Sequence, residues 1–341
     1  MNLTTLQFRI KDETSRKHLI KMSHSVNFVW NYCNEVNQER WNKFRKTYSE
    51  FDLNNKTAGC SKDLGILSET IQAICGEFSK YCKQNKKVKL RWRSKSKSLG
   101  WIPFKYKAVQ IKGGSVVYCG HTFKFWKSRE IEGNIRCGSF SQDSKGRWYI
   151  NLVVESPIKT RVQTGKSCGI DLGLKTLITL SDGLEFTREN LTKKFEQKLA
   201  VAQRARKKKQ VTAIHAKIKN KRKDWNHKIS SLLVAEYDTI VVGNVSSSKL
   251  IKTKMAKSVS DAGWFDFKRM LAYKAITLGS EFKEVNESFS TVTCSACNER
   301  SGPKGLHGLK VREWICSCCG FSHLRDINAA KNILSFSLRD I

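Results

Sequence analysis

Two pairs of closely spaced cysteines near the end of this 341-residue chain could bind a metal ion. Cys294 and Cys297 form the first C-x-x-C pair, Cys316 and Cys319 form the second, and eighteen residues separate the pairs. Two such turns bring four thiolates into a tetrahedron with Zn–S bonds of about 2.3 Å, which is typical of a structural zinc ion. The alternative is two reduced or disulfide-linked pairs.

Cys318 is a rival to Cys319 as a ligand in the second pair. Asn298 follows Cys297 and Gly320 follows Cys319. Both residue types tolerate the positive φ that the turn after the second cysteine commonly needs. We therefore expect Cys319 to be the ligand.

Two aspartates could take part in phosphodiester cleavage, which needs carboxylates converging on two Mg²⁺ ions about 4 Å apart. Asp171 lies inside an apolar strand, CGIDLGLKTLITL. A lone buried carboxylate there would be costly without a metal or a partner. Asp326 opens a helix, LRDINAAKNIL. An aspartate at a helix N-terminus is a routine cap, and the residues alone favour that role over catalysis.

The elements that must position these residues alternate between strand and helix. After Pro157 the pattern predicts a strand, a tight turn and a second strand, followed by a long helix from about Thr192 to Leu233. Further elements are a strand DTIVVGNVS, a helix DAGWFDFKRMLAYKAITLG, a strand EFKEVNE and a last helix RDINAAKNIL. This order indicates an α/β domain with a mixed or parallel sheet.

The first half of the chain has a different organisation. One strand at the start precedes a helical pattern from about Ser15 to Tyr81. Short strand-like runs then follow, VQIKG, SVVYC, HTFKFW and RWYINLVV. They indicate a small, largely antiparallel β-unit.

The charge of the chain favours nucleic-acid partners. There are 63 Lys and Arg against 30 Asp and Glu, a net charge of +33, while 40% hydrophobic residues suffice for real cores. Such a charge favours polyphosphates, because neutralised phosphates release counterions. No apolar run could span a bilayer and the start lacks a signal pattern, so we expect a cytoplasmic protein that does not bind a membrane. We also expect no small-molecule substrate. A merely soluble basic protein is the alternative.

Two basic stretches could contact nucleic acid. Residues 83–107 hold ten Lys and Arg and no acid, with aromatic residues between them, which suits unpaired bases. Residues 193–228 hold fourteen Lys and Arg against two acids, more than a solvated helix face requires. Trp92 and Trp101 could equally be core residues. The expected contacts are Arg91, Trp92, Arg93, Lys207, Lys208, Lys209, Lys221, Arg222 and Lys223.

Several motifs together resemble one family. In order they are GIDLGLKTLITLSDG, KIKNKRKDWNHKIS, IVVGNVSSSKL, DAGWFDFKRMLAYKA, the cysteine pairs and RDINAAKNIL. Over about residues 161–337 they resemble the C-terminal half of the transposon-encoded TnpB proteins, also known as the transposase OrfB. These are RNA-guided DNA nucleases related to compact type V CRISPR effectors. The N-terminal half matches more loosely.

The resemblance implies an α/β fold with an RNase-H-like (RuvC) nuclease domain and an inserted zinc ribbon. It also implies an N-terminal helical recognition lobe and an antiparallel wedge β-unit, around guide RNA and target DNA. The implied cofactors are one structural Zn²⁺ and two catalytic Mg²⁺, in a prokaryotic-type protein that is nucleoid-associated on DNA. The expected ranges are 1–14 and 83–160 for the wedge, 15–82 for the recognition lobe, 161–341 for the nuclease domain and 290–322 for the ribbon.

One departure from the family pattern concerns the catalytic carboxylates. Asp171 and Asp326 match two catalytic aspartates, whereas Gly243 occupies the usual position of the catalytic Glu. Glu287, where relatives more often have Pro, stands at the end of the strand EFKEVNES, where open α/β sheets place ligands. Glu284 is the rival, three residues earlier and so on the other face. We expect Glu287 to complete the triad of Mg²⁺ ligands.

The leading function is therefore Mg²⁺-dependent cleavage of DNA chosen by a bound RNA, in association with a transposable element. Gly243 keeps a second hypothesis open, a nuclease-inactive RNA-guided repressor. A third is a transposase acting directly in DNA recombination. No motif singles out the Tyr or Ser nucleophile that would mark a transposase forming a covalent bond to DNA.

Overall fold

The computed structural model describes residues 2–11, 13–158, 161–308 and 310–337. The chain divides into two compact units, Met1–Pro157 and Ile158–Ile341. The described residues contain no helix long and apolar enough to cross a membrane.

The first unit combines helices with two antiparallel sheets. Its helices are α1 (Glu13–Phe44), α2 (Glu50–Lys56), α3 (Ser61–Leu64) and α4 (Ser68–Asn85). Its strands are β1 (Asn2–Arg9), β2 (Trp101–Lys105), β3 (Val109–Lys112), β4 (Ser115–Tyr118), β5 (His121–Lys124), β6 (Asn134–Gln142) and β7 (Trp148–Ser156). One sheet has the order β1-β7-β6-β2, and the other has the order β3-β4-β5. Apolar side chains from helices and strands share one core.

The sequence pattern does not predict two strands of this unit, β2 and β6. In β7 buried and partly exposed residues alternate, the period-two pattern of a half-buried strand. β6 contains Gly138 and many polar residues, and β2 lies within a stretch dominated by its positive charge. A Cβ at Gly138 would lie 2.5 Å from the ring of Phe104 on β2. The glycine therefore allows the close packing of two strands that the pattern does not predict.

The second unit is an α/β arrangement around one mixed sheet. Its strands are β8 (Ser167–Asp171), β9 (Ile178–Leu180), β10 (Glu185–Phe186), β11 (Thr239–Gly243), β12 (Glu281–Val285), β13 (Glu313–Ile315) and β14 (Ser322–Leu324). Its helices are α5 (Leu191–Lys194), α6 (Glu196–Arg204), α7 (Lys208–Glu236), α8 (Ser247–Leu250), α9 (Ala256–Ala262), α10 (Trp264–Leu278), α11 (Gly305–Gly308) and α12 (Arg325–Phe336). The sheet order is β10-β9-β8-β11-β12, and β13 pairs separately with β14.

Two helices predicted as continuous are interrupted. The helix expected from Thr192 to Leu233 is divided into α5, α6 and α7, with a break at Arg206, whose φ is 52°. The helix expected from Asp261 is divided at Gly263, whose φ is 68°. No proline marks either break, and so the sequence pattern does not reveal them.

Parallel pairing sets the position of the candidate site. β11 pairs in parallel with β8 on one side and with β12 on the other, so their C-terminal ends lie at one edge of the sheet. Helix α12 packs on β8, where a Cβ at Gly169 would lie 2.1 Å from the carbonyl oxygen of Ala330. Only a glycine there permits α12 to lie this close to the strand.

Candidate functional site

Two of the predicted carboxylates, Asp171 and Glu287, lie at the C-terminal edge of the sheet, and Asp326 of α12 is close enough to affect Asp171 by its charge. Asp171 is the last residue of β8, and Gly243 is the last residue of the neighbouring β11. Glu287 follows two residues after the end of β12. The pairing of β11 with β12 confirms that the strand before Glu287 lies beside the strand that ends at Gly243.

The Glu287 side chain covers Gly243. A Cβ built at Gly243 would lie 2.3 Å from Oε2 of Glu287 and 3.0 Å from its Cβ. The Glu287 amide donates to Oδ1 of Asn244 at 3.4 Å, and the backbone of Val245 hydrogen-bonds the carboxylate. The carboxylate of Glu287 thus occupies the space into which a side chain at residue 243 would project.

The three carboxylates lie within electrostatic reach of one another. Burial raises the pKa of Asp171 to about 7, and the negative charges of Asp326 and Glu287 add to the rise. Burial also raises the pKa of Glu287, whereas the positive charge of Lys268 opposes this rise. A site in which negative charges are partly buried and mutually repulsive favours a cation.

Glu284, the rival of Glu287, has a different environment. Lys268 on α10 donates to its Oε1 at 2.5 Å, and the Glu284 side chain is exposed. Glu284 is thus committed to an ion pair, while the carboxylate of Glu287 lies at the end of β11.

Asp326 lies in the first turn of α12 but does not cap it. The N-cap residue is Leu324, and no side chain provides a capping hydrogen bond. The capping role that the sequence favoured is therefore wrong. Instead, Nη1 of Arg312 donates to the two carboxylate oxygens of Asp326 at 2.9 and 3.2 Å. Asp326 thus has a cationic partner supplied by the segment between the cysteine pairs.

The cysteine pairs form the one compact group of metal-ligand side chains found among the described residues. Its members are Cys294, Cys297, Cys316 and Cys319, whose sulfur atoms all lie within 4.8 Å of one another. Two of the Sγ–Sγ distances are 3.6 Å, close to the separation of about 3.8 Å that Zn–S bonds of 2.3 Å give in a tetrahedron. The cluster fits one structural zinc ion.

The turns of the ribbon agree with the choice of Cys319 over Cys318. Asn298 has a φ of 65° and Gly320 a φ of 70°, as expected after the second cysteine of each pair. Cys318 is exposed and lies outside the cluster. The Ser301 hydroxyl donates to Sγ of Cys316 at 3.1 Å and lowers its pKa, which favours the thiolate form.

The ribbon is also tied directly to the helix that carries Asp326. Nδ2 of Asn328 and Nδ2 of Asn332 each donate to the carbonyl oxygens of Ser290 and Thr293, at distances from 2.7 to 3.2 Å. Oδ1 of Asn328 accepts from the amide of Ser295 at 2.9 Å. The two asparagines repeat at i and i+4, a signal present in the sequence that could have indicated a shared buried face.

His323 is a further residue that sequence reasoning missed. It is buried, and its Nε2 lies 3.0 Å from Sγ of Cys294. A ring N–H at this place can donate to the thiolate and orient it, the usual role of a polar group beside a metal ligand. No ligand-like spacing of histidines marks it in the sequence.

The basic residues expected to contact nucleic acid have different environments. Nε of Arg93 donates to Asn27 Oδ1 at 2.7 Å and burial lowers the Arg93 pKa, so much of its guanidinium is engaged in the fold. Trp101 packs against the core, whereas Trp92 is 47% exposed. Arg222 is partly buried and donates to the Ser260 carbonyl at 2.5 Å. The remaining exposed members are Arg91, Lys207, Lys208, Lys209, Lys221 and Lys223.

Comparisons with known proteins confirm the resemblance that the motifs predict. Residues 151–254 match the OrfB_IS605 family, described as "Probable transposase". Residues 264–333 match the domain described as "Cas12f1-like, TNB domain", which spans both cysteine pairs and most of α12. The class defined here is thus an α/β protein with a four-cysteine cluster and similarity to TnpB proteins.

Individual relatives of this chain are named as RNA-guided DNA endonucleases or as TnpB-like proteins. A "Putative RNA-guided DNA endonuclease" of Streptomyces pristinaespiralis is 37% identical over 58% of this chain and 52% of its own length. InsQ of Escherichia coli K12, which has the same description, is 29% identical over 62% of this chain and 59% of its own. The mimivirus "TnpB-like protein L770" is 31% identical over 67% and 48%. The chain thus spans only about half the length of these relatives.

This chain is also similar to a solved structure. It is the cryo-EM structure of a Cas12f1–sgRNA–target DNA complex, with 17% identity and a TM-score of 0.40. The alignment covers 98% of this chain and 99% of that one.

Proposed function

We propose that this chain is an RNA-guided, Mg²⁺-dependent DNA endonuclease associated with a transposable element. The observation that carries the proposal is the Glu287 carboxylate above Gly243, which supplies a third carboxylate where the family's usual Glu is missing. The names of the relatives support guided DNA cleavage. The net charge of +33 suits two nucleic-acid partners, a guide RNA and a target DNA.

The fold assignment that accompanies this function is a RuvC-like nuclease domain over residues 161–341. The order β10-β9-β8-β11-β12, with β8, β11 and β12 parallel, supports it, as do carboxylates at the C-terminal strand ends. We assign residues 1–14 and 83–160 to a wedge and residues 15–82 to a recognition lobe. The shared core makes wedge and lobe one folding unit.

Asp171, Glu287 and Asp326 are the residues that would hold the divalent cations. When bound, Mg²⁺ supplies an activated water and stabilises the charge that develops at the phosphate. The chain's own contribution is to gather the carboxylates at one sheet edge and to bury Asp171, so that repulsion among the carboxylates is relieved by cation uptake. Lys268 keeps Glu284 in an ion pair, away from this task.

The test of the proposal is guided cleavage by purified protein carrying its RNA. Asp171→Ala, Glu287→Ala and Asp326→Ala should each abolish Mg²⁺-dependent cleavage of guide-matched DNA, because each removes a metal ligand. RNA-guided binding should survive, since these carboxylates mainly stabilise the transition state. Glu284→Ala is the matched control and should retain cleavage.

Other outcomes would replace the proposal. Loss of cleavage in Glu284→Ala but not in Glu287→Ala would transfer the role to Glu284. Guided binding without any cleavage by the wild type would indicate the nuclease-inactive repressor. Sequence-specific binding of duplex DNA at full affinity after RNase treatment would exclude RNA guidance and favour a transposase acting directly on DNA.

A further inference from the structure

The end of β1 in the first unit is surrounded by cationic and aromatic side chains that the nuclease site does not use. Two cavities adjoin there, and Arg9 lines both. We call the two together the β1 notch. The notch lies outside residues 83–107 and 193–228, the two stretches for which the sequence predicts contacts with nucleic acid.

The first cavity of the β1 notch is cationic. Its volume is about 230 Å³, and its lining includes Arg9, Lys11, Arg16 and Arg147. No Asp or Glu belongs to its described lining. Nε of Arg147 donates to Oδ2 of Asp143 at 2.7 Å, so Asp143 is paired with Arg147. The positive charges of Arg9, Lys11 and Arg16 are therefore not offset by the Asp143 carboxylate. Clustered cations of this kind favour a phosphate group.

The second cavity is aromatic. Its volume is about 420 Å³, and Phe8, Trp126 and Tyr149 line it together with Gln7 and Ser128. Trp126 is 58% exposed, although it is one of the largest apolar side chains of the chain. Nζ of Lys11 lies over one face of the Trp126 ring, 4.3 Å from the ring centre, so a base would stack on the opposite face. An exposed flat ring next to cations is the arrangement on which unpaired bases stack.

The backbone holds the two cavities in a fixed relation. The amide of Trp126 donates to the Arg9 carbonyl at 2.8 Å, and the amide of Ile10 donates to the Trp148 carbonyl at 2.9 Å. The amide of Lys11 donates to the Lys124 carbonyl at 2.8 Å. The end of β1 is thereby fixed between β7 and the segment after β5. A ligand would therefore bind a surface that is already ordered, without the entropy cost of ordering it.

We propose that the β1 notch binds an unpaired nucleotide of single-stranded RNA, with its base on Trp126 and its phosphate among Arg9, Lys11 and Arg16. A duplex cannot fit this role, because its bases are stacked on one another and unavailable. The Nε2 of Gln7 already donates to Oδ1 of Asn151 at 2.8 Å, so the groups that could meet a ribose are the Gln7 amide oxygen and the Ser128 hydroxyl. They favour RNA over DNA, since a ribose 2′-hydroxyl can both donate and accept a hydrogen bond. The proposal rests on the proposed function in one respect, which is that the bound RNA is taken to be the guide RNA.

The experiment measures binding of an unstructured 12-nucleotide RNA to RNA-free full-length protein at several salt concentrations. Trp126→Ala should weaken binding by about 5- to 150-fold, with an unchanged salt slope, because stacking carries no charge. Arg9→Gln should lower the slope by about one, because one phosphate contact is lost. Trp126→Phe, which keeps a flat ring, should retain most of the affinity.

The matched control is Phe51→Ala. Phe51 is also an exposed aromatic residue of the first unit, 71% exposed, but it lies between Glu50 and Asp52. Its loss should leave RNA binding unchanged. A direct readout is tryptophan fluorescence, because RNA should quench a component that the wild type has and Trp126→Phe lacks.

Several outcomes would overturn the proposal. One is wild-type affinity in Trp126→Ala, and another is an equal loss in Phe51→Ala. Equal or tighter binding of a DNA 12-mer of the same sequence would assign the notch to DNA. Failure of the proposed function is separate, because it would show as absence of guided DNA cleavage by the wild type whatever the RNA affinities are.

Discussion

Replacing Gly243 by alanine tests whether the Glu287 carboxylate acts from the place where the structure has it. The added Cβ would lie 2.3 Å from Oε2 of Glu287, whereas ordinary contact begins at 3.4 Å. The carboxylate must therefore move by about 1 Å, and a misplacement of that size costs about 10²-fold in rate. This loss corresponds to about 2.7 kcal/mol of transition-state stabilisation. Single-turnover cleavage of guide-matched DNA measures it.

The same variant should fold and bind normally. Alanine reduces the freedom of the unfolded chain, an effect of about 0.4–1 kcal/mol, which offsets part of the cost of moving one flexible side chain. Guided DNA binding in EDTA and thermal unfolding should therefore stay close to wild type. The control is Gly114→Ala, where the nearest atom to the new Cβ, the Phe125 carbonyl oxygen, lies at 3.4 Å.

A carboxylate introduced at residue 243 tests the role of Glu287 by a second route. In the Glu287→Ala background, Gly243→Asp would carry a carboxylate oxygen about 2.4 Å from its own Cβ by standard bond lengths. That is close to the 2.3 Å at which Oε2 of Glu287 lies from the same point. We expect the double variant to recover at least about 10-fold over Glu287→Ala, a gain of about 1.4 kcal/mol. Wild-type cleavage by Gly243→Ala, with no recovery in the double variant, would refute the role of Glu287.

Three further predictions concern the metal ligands and their neighbours. Elemental analysis should give about one zinc per chain, retained in Cys318→Ser and lost in Cys319→Ser; the reverse pattern would contradict the ligand assignment. Because the pKa of Asp171 is raised to about 7, the metal-free native state holds a proton that the unfolded state releases near pH 4. The free energy of unfolding of the metal-free protein, measured in denaturant, should therefore fall as pH rises from 4 to 7, and Asp171→Asn should show a smaller fall. An equal fall in the wild type and in Asp171→Asn would exclude the raised pKa of Asp171. Arg312→Gln should tighten Mn²⁺ binding to the metal-free protein in an EPR titration, because the guanidinium competes with the cation for Asp326; unchanged affinity would show that it does not.

Much of the site follows from local spacing. The proposed zinc ligands belong to two C-x-x-C turns, whose geometry is set within a few residues, and Asn298 and Gly320 mark those turns in the sequence itself. Asp171 is conspicuous because a carboxylate inside an apolar strand has a high desolvation cost. The strand that ends at Gly243 and the strand before Glu287 are also visible from their composition, and their parallel pairing agrees with the expected sheet.

The sequence by itself thus determined the α/β class of the second unit, the four cysteines that cluster, the strand that ends at Asp171 and the strand that precedes Glu287. Only the tertiary structure decided that the Glu287 side chain covers Gly243, that Arg312 holds Asp326, and that the expected long helices break at Arg206 and Gly263. The physical reason is that the first two features depend on side chains from separate elements meeting across the sheet or the ribbon, whereas residue spacing reports only the neighbours along one strand or helix. The two breaks depend on the backbone conformation of single residues, which hydrophobic spacing does not report.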